Sequence, residues 1–392
     1  MKPRDGGRCA VVMGLDVSGY GIVRSLARED VPIVGLWRGD DECGRFSRYC
    51  ATLQVAPDQD DRWISVLLAL ATRFDRPVLF PSNDRYAELL ARYRATLEPV
   101  TRFHWVDESL IETVLDKARI GAVCERAGVA VPRTCQPRGP DLAAQAADFT
   151  FPCLVKPRTR FRAGLPGAAK VIVCQNAAEL AAVYRQAPAL LGTTIWQEVI
   201  EGGDDAIWQG TVFASRPGQV DAVACMRKIR QYPPGFGITS FGCTEWQAAV
   251  VEQTARLVGA LGWTGIASVE FKHSVAGECF YYIEMNPRVP WYNVLFRDAG
   301  INLSYLSWCD LTGVPAPAPR QTNGVGWISL ASDCTSFWRR WRAGTLGASQ
   351  WLGSLVEAQS FAWYEKADPE PAITAAVRFS GMGWRKVAGG QE

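Results

Sequence analysis

The sequence contains very little histidine and no long apolar run. His104 and His273 are the two histidines among 392 residues, which leaves little material for a histidine-rich metal site or a histidine-based nucleophilic triad. No stretch approaches the roughly 18 consecutive apolar residues that a membrane-spanning helix requires. The 42 basic and 40 acidic residues nearly cancel, so the chain lacks the basic surplus of a nucleic-acid-binding protein. We therefore expect small-molecule partners, and neither a nucleic acid nor a membrane.

The cysteines show no metal-binding or redox spacing. All twelve are scattered through the chain, and no two of them form a Cys-x-x-Cys motif. The first ten residues lack the apolar core of a signal peptide, which together with the cysteine pattern predicts reduced thiols and a cytoplasmic location. With 48% hydrophobic and 21% charged residues, the composition is ordinary for a folded protein of two or three domains.

An apolar strand near residue 284 ends in polar side chains. Residues 278–288 read Glu-Cys-Phe-Tyr-Tyr-Ile-Glu-Met-Asn-Pro-Arg, and because side chains alternate along a strand, Glu284 and Asn286 share one face. A second strand just upstream carries Glu270, and the polar turn between the strands predicts a hairpin with the acids close together. Two carboxylates and an amide form a Mg²⁺ site, beside which Arg288 would meet phosphates. The alternative is an edge hairpin with solvated acids.

This strand end resembles the metal-binding end of the ATP-grasp superfamily, whose members include biotin carboxylase, D-alanine–D-alanine ligase and carbamoyl phosphate synthase. The resemblance covers about residues 105–315. It implies an α/β chain with the ATP-grasp fold, an amino-terminal parallel α/β (pre-ATP-grasp) domain and a carboxy-terminal extension. It also implies ATP and two Mg²⁺ ions, with Mn²⁺ as an alternative, the ions being held by Glu270, Glu284 and Asn286.

Short apolar runs alternate with helical patterns over the first hundred residues. The predicted strands are 10–13, 31–37, 53–56 and 78–81, and the predicted helices are 22–29, 62–73 and 85–97. This alternation predicts a parallel α/β sheet. Gly14, Gly19 and Gly21 follow the first strand, but Arg24 stands where a dinucleotide-binding turn has its third glycine. The spacing therefore argues against an oxidoreductase.

The resemblance implies that residues 1–105 form a substrate domain. An open parallel sheet binds ligands at the carboxyl ends of its strands, which here lead into the loops 14–21 and 82–85. We expect these loops to contact the acceptor substrate. Residues 106–315 are the predicted ATP-grasp domain, with a lid subdomain at about 150–196.

Two lysines match phosphate-binding lysines of the family. Lys156 ends the apolar run Phe-Pro-Cys-Leu-Val and precedes a proline, so its point charge projects from a rigid strand. Lys117 lies in Leu-Asp-Lys on a helix predicted over 109–127 and matches the first ATP-phosphate lysine. A solvated helical lysine is the alternative for Lys117.

The loop 158–170 departs from the family's glycine- and serine-rich lid, whose backbone N–H groups bind phosphate oxygens. Gly164 and Gly167 are its only glycines. Its basic residues are Arg158, Arg160, Arg162 and Lys170. We expect them to act as charged fingers on ATP or on an anionic substrate, with a solvated basic loop as the alternative.

A buried strand followed by Glu-Gly-Gly-Asp matches the hinge that lines the nucleotide base in the family. The resemblance implies that Gln197, Glu198 and Ile200 contact the adenine, and that Asp204 or Asp205 holds the ribose. Gln197 replaces the usual glutamate and can still accept a hydrogen bond through its amide oxygen. As structure alone, this segment is an ordinary turn.

A basic cluster follows the strand predicted at 220–226. Lys228 or Arg227 matches the family's cation near the transferred phosphate, and Arg-Lys-x-Arg-Gln-Tyr-Pro-Pro-Gly-Phe-Gly resembles D-aspartate-ligase-like proteins. The helix predicted at 245–261 is amphipathic and serves packing. Residues 316–392 form a tryptophan-rich extension that we expect to pack on the core or to mediate a homodimer contact. The basic aromatic patch around Trp338 and Trp341 offers a nucleic-acid-binding surface as an alternative. Because the net charge of the chain is near neutral, a packing role or a dimer contact is favoured over nucleic-acid binding.

The resemblance implies an ATP-dependent carbon–nitrogen ligase that forms an amide or peptide bond. In this hypothesis Arg288, Lys228 and Arg227 stabilise the transferred phosphate, and the substrates are a small carboxylate and an amine, such as an amino acid or a derivative. Two alternatives stay open. The first is a nucleotide-binding protein without ligase turnover, and the second is a carboxylase that forms carboxyphosphate.

Overall fold

The computed structural model describes residues 6–55, 59–139, 141–159, 165, 170–274 and 276–388. Within these residues the strands form three sheets, and no helix is long and apolar enough to cross a bilayer. The sheets follow one another along the chain. Their packing places a cavity between them.

The amino-terminal sheet is parallel throughout, as the alternating pattern predicts. Its strands are β1 (Ala10–Met13), β2 (Ile33–Trp37), β3 (Ala51–Gln54) and β4 (Val78–Pro81), in the order β3-β2-β1-β4. Its helices are α1 (Val17–Ala27), α2 (Asp60–Arg73), α3 (Asp84–Arg92) and α4 (Arg94–Leu97). Strands β1 and β4 are buried along their whole length. Because they are adjacent and parallel, the loops that follow them lie side by side.

Two helices lead from this sheet to the second one. They are α5 (Glu108–Leu115) and α6 (Lys117–Arg126), where one helix over 109–127 was predicted. The break occurs because Asp116 adopts an extended backbone and its carboxylate accepts hydrogen bonds from the N–H groups of Ala118 and Arg119. Asp116 therefore caps α6 and fixes the position of Lys117 at its first turn.

The second sheet is antiparallel. Its strands are β5 (Thr134–Cys135), β6 (Cys153–Pro157), β7 (Ile172–Cys174) and β8 (Thr194–Glu198), in the order β5-β8-β6-β7. Helices α7 (Leu142–Ala147) and α8 (Ala177–Gln186) cover one face, where Leu180 and Trp196 are fully buried. The buried face fixes the register of β6, so that the Lys156 side chain points away from this core.

The third sheet has seven strands. They are β9 (Ile207–Arg216), β10 (Gln219–Tyr232), β11 (Ile238–Thr244), β12 (Gly265–Ser274), β13 (Cys279–Asn286), β14 (Gly326–Ile328) and β15 (Ala358–Phe361), in the order β13-β12-β9-β10-β11-β14-β15. Helix α9 (Ala248–Leu261) packs Leu257 and Val258 on this sheet. Helices α10 (Asn293–Asp298) and α11 (Leu303–Thr312) follow β13. Strand β10 runs six residues beyond its predicted end at 226, which carries Lys228 along the sheet.

The residues after 316 continue this architecture. Strands β14 and β15 extend the third sheet, and helices α12 (Leu330–Arg342), α13 (Ala348–Glu357) and α14 (Glu370–Ala388) complete the chain. Trp327 in β14 is fully buried, and Asp333 in α12 is buried together with its partner Arg230. The tryptophan-rich extension thus packs on the core.

Candidate active site

A cavity of about 1160 Å³ lies where the three sheets meet. The first sheet contributes the loops after β1 and β4, the second contributes β6 and β8, and the third contributes β9, β10, β12 and β13. The predicted site residues that line the cavity are Lys117, Lys156, Lys170, Gln197, Glu198, Ile200, Lys228, Glu270, Glu284, Asn286 and Arg288. The fold therefore gathers at one place residues that are up to 171 positions apart in the sequence, from Lys117 to Arg288.

Glu270 and Glu284 are direct neighbours across the β12–β13 pair. Asn286 lies opposite Ser268, so both carboxylates and the amide stand on one hairpin. The register shifts after Glu270, which leaves Ile283 as the extra residue of a β-bulge. Bulges commonly redirect a side chain beside a functional site, and here the bulge directly precedes Glu284.

Glu270 is bound by side chains from two further strands. Lys228 Nζ lies 2.6 Å from Glu270 Oε2, and Gln209 Nε2 donates to the same oxygen at 2.7 Å. Burial raises the pKa of Glu270, Lys228 opposes that shift, and the charge of Glu284 adds to it. Negative charge is thus concentrated where the two acids meet, and a further cation at this point would relieve their repulsion.

The donors at this hairpin fit Mg²⁺. Carboxylate and amide oxygens are hard ligands, and Mg²⁺ is usually held by one or two carboxylates while water and phosphate oxygens complete its shell. Over the part of the chain that the structure describes, no group of three or more His, Cys, Asp or Glu side chains offers a complete metal cage. A divalent cation at Glu270 and Glu284 therefore requires additional oxygen ligands, as a nucleotide provides.

Lys156 projects from β6 into the cavity and is almost fully buried. Its ammonium group donates to Gln197 Oε1 at 2.5 Å. Burial, followed by repulsion from Lys117, lowers the pKa of Lys156 to about 7, against the attraction of Glu284 and Glu270. The amide oxygen of Gln197 is therefore taken by a lysine in this structure, and its predicted contact with adenine stays a prediction.

Arg158 anchors the start of the loop 158–170. Its Nη2 lies 2.6 Å from Asp116 Oδ2, and its carbonyl oxygen accepts the N–H of Lys117 at 3.1 Å. Burial alone would raise the pKa of Asp116, but the hydrogen bonds from Arg158 and from the first turn of α6 hold it below its usual value. Arg158 thus braces the helix start that carries Lys117. Arg160, Arg162, Gly164 and Gly167 lie outside the described residues, and Lys170 is exposed at the cavity.

The hinge after β8 offers an apolar slot. Glu198 is tied to the neighbouring segment, because its N–H donates to the carbonyl of Arg133 and its carboxylate accepts the N–H of Arg133 at 2.8 Å. Beyond it, Val199 and Ile200 line the cavity. Apolar side chains from three other strands face the same space, namely Leu154, Ile207 and Met285. A slot of this kind suits a flat, weakly polar ring such as a nucleobase.

Asp204, Asp205 and Arg227 are not among the cavity-lining residues. Asp205 pairs with Arg227 at 3.3 Å, and the Arg227 guanidinium lies over the Trp208 ring. Arg227 faces away because side chains alternate along β10, so that its neighbour Lys228 points into the cavity. Asp204 is buried among hydrogen-bond donors outside the lining. The ribose contact of Asp204 or Asp205 and the phosphate contact of Arg227 therefore remain predictions that this arrangement does not favour.

The amino-terminal sheet supplies a wall of mixed charge. The loops predicted to meet the acceptor contribute Asp16, Ser82, Asp84 and Arg85 to the lining, among others. Burial raises the pKa of Asp16, while its bond from the Gly19 N–H and the charge of Arg288 oppose that shift. Acids and arginines along one wall suit a ligand that carries both an amino and a carboxylate group.

Gly14 permits the close approach of the two loops that form this wall. Its φ is +86°, and a Cβ at this position would lie 2.4 Å from Ser82 Oγ. A side chain would therefore be strained and would also push the β1 and β4 loops apart.

Several lining residues were not predicted from the sequence. Gln209 and Lys272 stand on strands that read simply as buried, and Gln231 belongs to the basic cluster after residue 226 without a predicted role. One signal in the sequence does point to Lys272. The chain has eight lysines among its 42 basic residues, and five of them line the cavity: Lys117, Lys156, Lys170, Lys228 and Lys272. In an arginine-rich chain, this clustering of the scarce lysines predicts a place where a compact point charge is used.

No protein-family model matches this sequence. The chain is similar to D-aspartate ligase of Enterococcus faecium, with 21% identity over 314 residues that make up 75% of this chain and 74% of that protein. The structure is similar to L-amino acid ligase from Bacillus licheniformis, with a TM-score of 0.61, 15% identity, and coverage of 82% of this chain and 78% of that chain. It is also similar to N5-carboxyaminoimidazole synthetase from Staphylococcus aureus complexed with ADP, with a TM-score of 0.61, 15% identity, and coverage of 81% and 80%. These likenesses confirm the predicted architecture, and the chain is a protein of the ATP-grasp fold.

Proposed function

We propose that this protein is an ATP-dependent ligase that activates a carboxylate as an acyl phosphate and joins it to an amine, releasing ADP and phosphate. The observation that carries the proposal is the cross-strand pair Glu270–Glu284, which faces the same cavity as Lys156, Lys228 and Arg288. Two acids among three cations form a site for a metal–nucleotide complex. The similarity to an amino acid ligase and to D-aspartate ligase supports an amino acid or a derivative as one substrate.

The nucleotide would lie with its base in the apolar slot beside Ile200 and its phosphates toward Lys156. Similarity to a synthetase complexed with ADP supports an adenine nucleotide as the ligand. Glu270, Glu284 and Asn286 would hold two Mg²⁺ ions, which when bound offset the charge of the phosphates and of the transferred group. Mn²⁺ has the same preference for oxygen ligands and is expected to substitute.

The protein's own groups then stabilise phosphoryl transfer. Catalysis of this step is mostly positioning and charge stabilisation, so no protein nucleophile is needed. The substrate carboxylate attacks the γ-phosphorus, the bond to the ADP oxygen breaks, and ADP leaves. Lys156 neutralises the phosphates of the leaving group, while Lys228 and Arg288 donate to the oxygens that gain charge in the transition state.

The acyl phosphate reacts next with the amine. The amine attacks the acyl carbon, a tetrahedral oxyanion forms, and its collapse breaks the bond to phosphate while the nitrogen loses a proton. Arg288 lies between Asn286 and Asp84, where it can donate to that oxyanion. Closure of the lid over the bound substrates would keep water from hydrolysing the intermediate before the amine arrives.

Carboxyphosphate formation is the second candidate. It uses the same ATP site but bicarbonate as the acid, and the similar synthetase has a name that describes a carboxylated nitrogen. A panel of acids therefore has to include bicarbonate. Stimulation of ADP release by bicarbonate alone would replace the amide-forming ligase with this alternative.

The test is ADP release across a panel of amino acids and small carboxylates, with hydroxylamine in place of the amine. A true acid substrate should yield a hydroxamate in step with ADP, because hydroxylamine captures the acyl phosphate. AMP and pyrophosphate as products would overturn the mechanism in favour of adenylation. ATP binding without cleavage across the panel would leave a nucleotide-binding protein without turnover.

A further inference from the structure

Helix α12 of the carboxy-terminal extension packs against strand β10 and presents one polar face to it. Asp333, Ser336 and Arg340 follow at helical spacing and therefore lie on one side of the helix. Ser336 Oγ donates to the carbonyl oxygen of Gln231 at 2.7 Å, and Arg340 forms an ion pair with Asp204. The extension thus binds strand β10 and the turn that precedes β9 through side-chain hydrogen bonds and an ion pair.

Asp204 is the residue on which most of these contacts converge. Its Oδ1 accepts hydrogen bonds from Gln231 Nε2 at 2.8 Å and from the Gly235 N–H at 3.0 Å, and its Oδ2 accepts the Gln231 N–H at 3.0 Å. The same carboxylate pairs with Arg340, and Asp204 is 7% exposed. Both carboxylate oxygens of Asp204 are therefore engaged, and each of them accepts one hydrogen bond from Gln231.

Gln231 connects Asp204 to the cavity. It lines the cavity although it is only 1% exposed, and its Oε1 accepts a hydrogen bond from Lys228 Nζ at 3.4 Å. Since the amide nitrogen is committed to Asp204, the amide oxygen must face Lys228. Lys228 in turn lies 2.6 Å from Glu270. A continuous series of polar contacts, Arg340–Asp204–Gln231–Lys228, joins the extension to the candidate phosphate site.

We propose that Arg340 and Asp204 are positioning residues, which hold Gln231 and through it place Lys228 against the terminal phosphate of the nucleotide. The extension is then a working part of the site, and Asp204 has a role other than the ribose contact. The inference rests on the proposed function for the use of Lys228. It predicts that variants of these residues lose affinity for a nucleoside triphosphate but not for the diphosphate. A general loss of stability would lower both affinities.

The experiment compares two affinities for each variant by calorimetry: that of Mg²⁺ with a non-hydrolysable ATP analogue, and that of Mg²⁺ with ADP. Arg340→Met should weaken binding of the triphosphate by roughly tenfold, the effect of one charge-assisted hydrogen bond, and change ADP affinity less than about twofold. Arg340→Lys keeps the charge and should restore most of the loss. Arg342→Met, an exposed arginine on the same helix, is the matched control and should match the wild type.

A double-mutant cycle tests the order of the contacts. Gln231→Leu should show the same selective loss, and the double variant Arg340→Met/Gln231→Leu should lose little more, because both changes break one series. An unchanged ratio of the two affinities in Arg340→Met, or additive losses in the double variant, would overturn the inference. If Arg340→Met does not fold, Gln231→Leu decides the question through the same ratio, and Arg340→Lys should stay close to the wild type. Wild-type protein that binds both nucleotides but turns over no substrate refutes the ligase and leaves this ratio measurable, whereas failure to bind either nucleotide refutes both proposals.

Discussion

Arg288 Nε donates to Asp84 Oδ1 at 2.7 Å, and this ion pair joins the end of β13 to the start of α3 in the amino-terminal sheet. Arg288 Nη2 donates to Asn286 Oδ1 at 3.3 Å. Asp84 is 2% exposed, so the pair is shielded from solvent and holds Arg288 between the loops of the amino-terminal sheet and the Glu270–Glu284 hairpin. A change at Asp84 should therefore reach the chemistry through Arg288.

We expect Asp84→Asn to lower kcat by about tenfold while leaving nucleotide affinity nearly unchanged, since a bond to a charged group contributes about 1.5–3 kcal/mol. Asparagine keeps the shape of aspartate but no longer fixes the guanidinium by charge. Steady-state ADP release gives kcat, and calorimetry gives the affinity. The control is Asp75→Asn, because Asp75 is half exposed and lies near Arg8 at 3.9 Å. Equal kcat in Asp84→Asn and wild type would contradict the positioning of Arg288 by Asp84.

The sequence predicts the parts of this site that depend on strand alternation. Glu270 and Glu284 are placed on one hairpin by their own strands, and the turn between them sets the pairing that the structure contains. The same holds for Lys156, whose strand is apolar up to the lysine. In these cases the alternation of side chains along the strand predicts the same side-chain placement that the tertiary contacts of the structure show.

Contacts between distant elements explain what the sequence does not predict. Asp204 meets Arg340 across 136 positions, and nothing near Asp204 indicates that its carboxylate is used by a helix of the extension. The break in the helix predicted at 109–127 has the same origin, because Asp116 is fixed by Arg158 from another sheet as well as by its own cap. The choice between Arg227 and Lys228 depends on the facing of β10, which the short predicted strand ending at 226 does not define.

Glu284→Gln tests the metal assignment. The change keeps size and removes one ligand charge, so Mg²⁺-dependent turnover should fall by at least about 100-fold. The free energy of unfolding should not decrease, because the charge of Glu284 contributes to the raised pKa of its neighbour Glu270 and this repulsion disappears. Mg²⁺ titration of ADP release and thermal unfolding measure the two effects. Glu278→Gln, an exposed position on the same hairpin, serves as the control, and wild-type turnover in Glu284→Gln would remove the metal role.

Asp333 anchors the carboxy-terminal extension on the third sheet. Its carboxylate accepts hydrogen bonds from Arg230 Nε at 2.9 Å, from Ser240 Oγ at 2.7 Å and from Trp351 Nε1 at 2.8 Å, and it is fully buried. Asp333→Ala leaves the Arg230 charge buried without its partner, and we expect a loss of about 3–5 kcal/mol in the free energy of unfolding. Urea denaturation measures this loss. Asp221→Ala, at an exposed position near the start of β10, should cost much less, and a similar value for both variants would show that the buried pair does not anchor the extension.

The lowered pKa of Lys156 predicts that nucleotide binding takes up a proton. Burial and the charge of Lys117 bring this pKa to about 7, so at pH 8.5 the amine of the free protein is mostly neutral. Phosphate oxygens placed beside the amine favour its charged form and raise its pKa, and the bound state then holds a proton that the free state lacks. Affinity for the nucleotide should consequently fall as the pH rises above about 7, by up to tenfold for each pH unit.

Calorimetry at pH 8.5 in two buffers with different ionisation enthalpies measures the proton uptake directly. At this pH the nucleotide phosphates are already ionised, so that close to one proton should be taken up by the wild type. Lys156→Arg keeps a cation that stays charged at pH 8.5, and its binding should be independent of the buffer. Lys366→Arg, a lysine outside the cavity lining, should behave as the wild type. Binding without proton uptake in the wild type would mean that Lys156 is already charged in the free protein, or that the phosphates do not reach it.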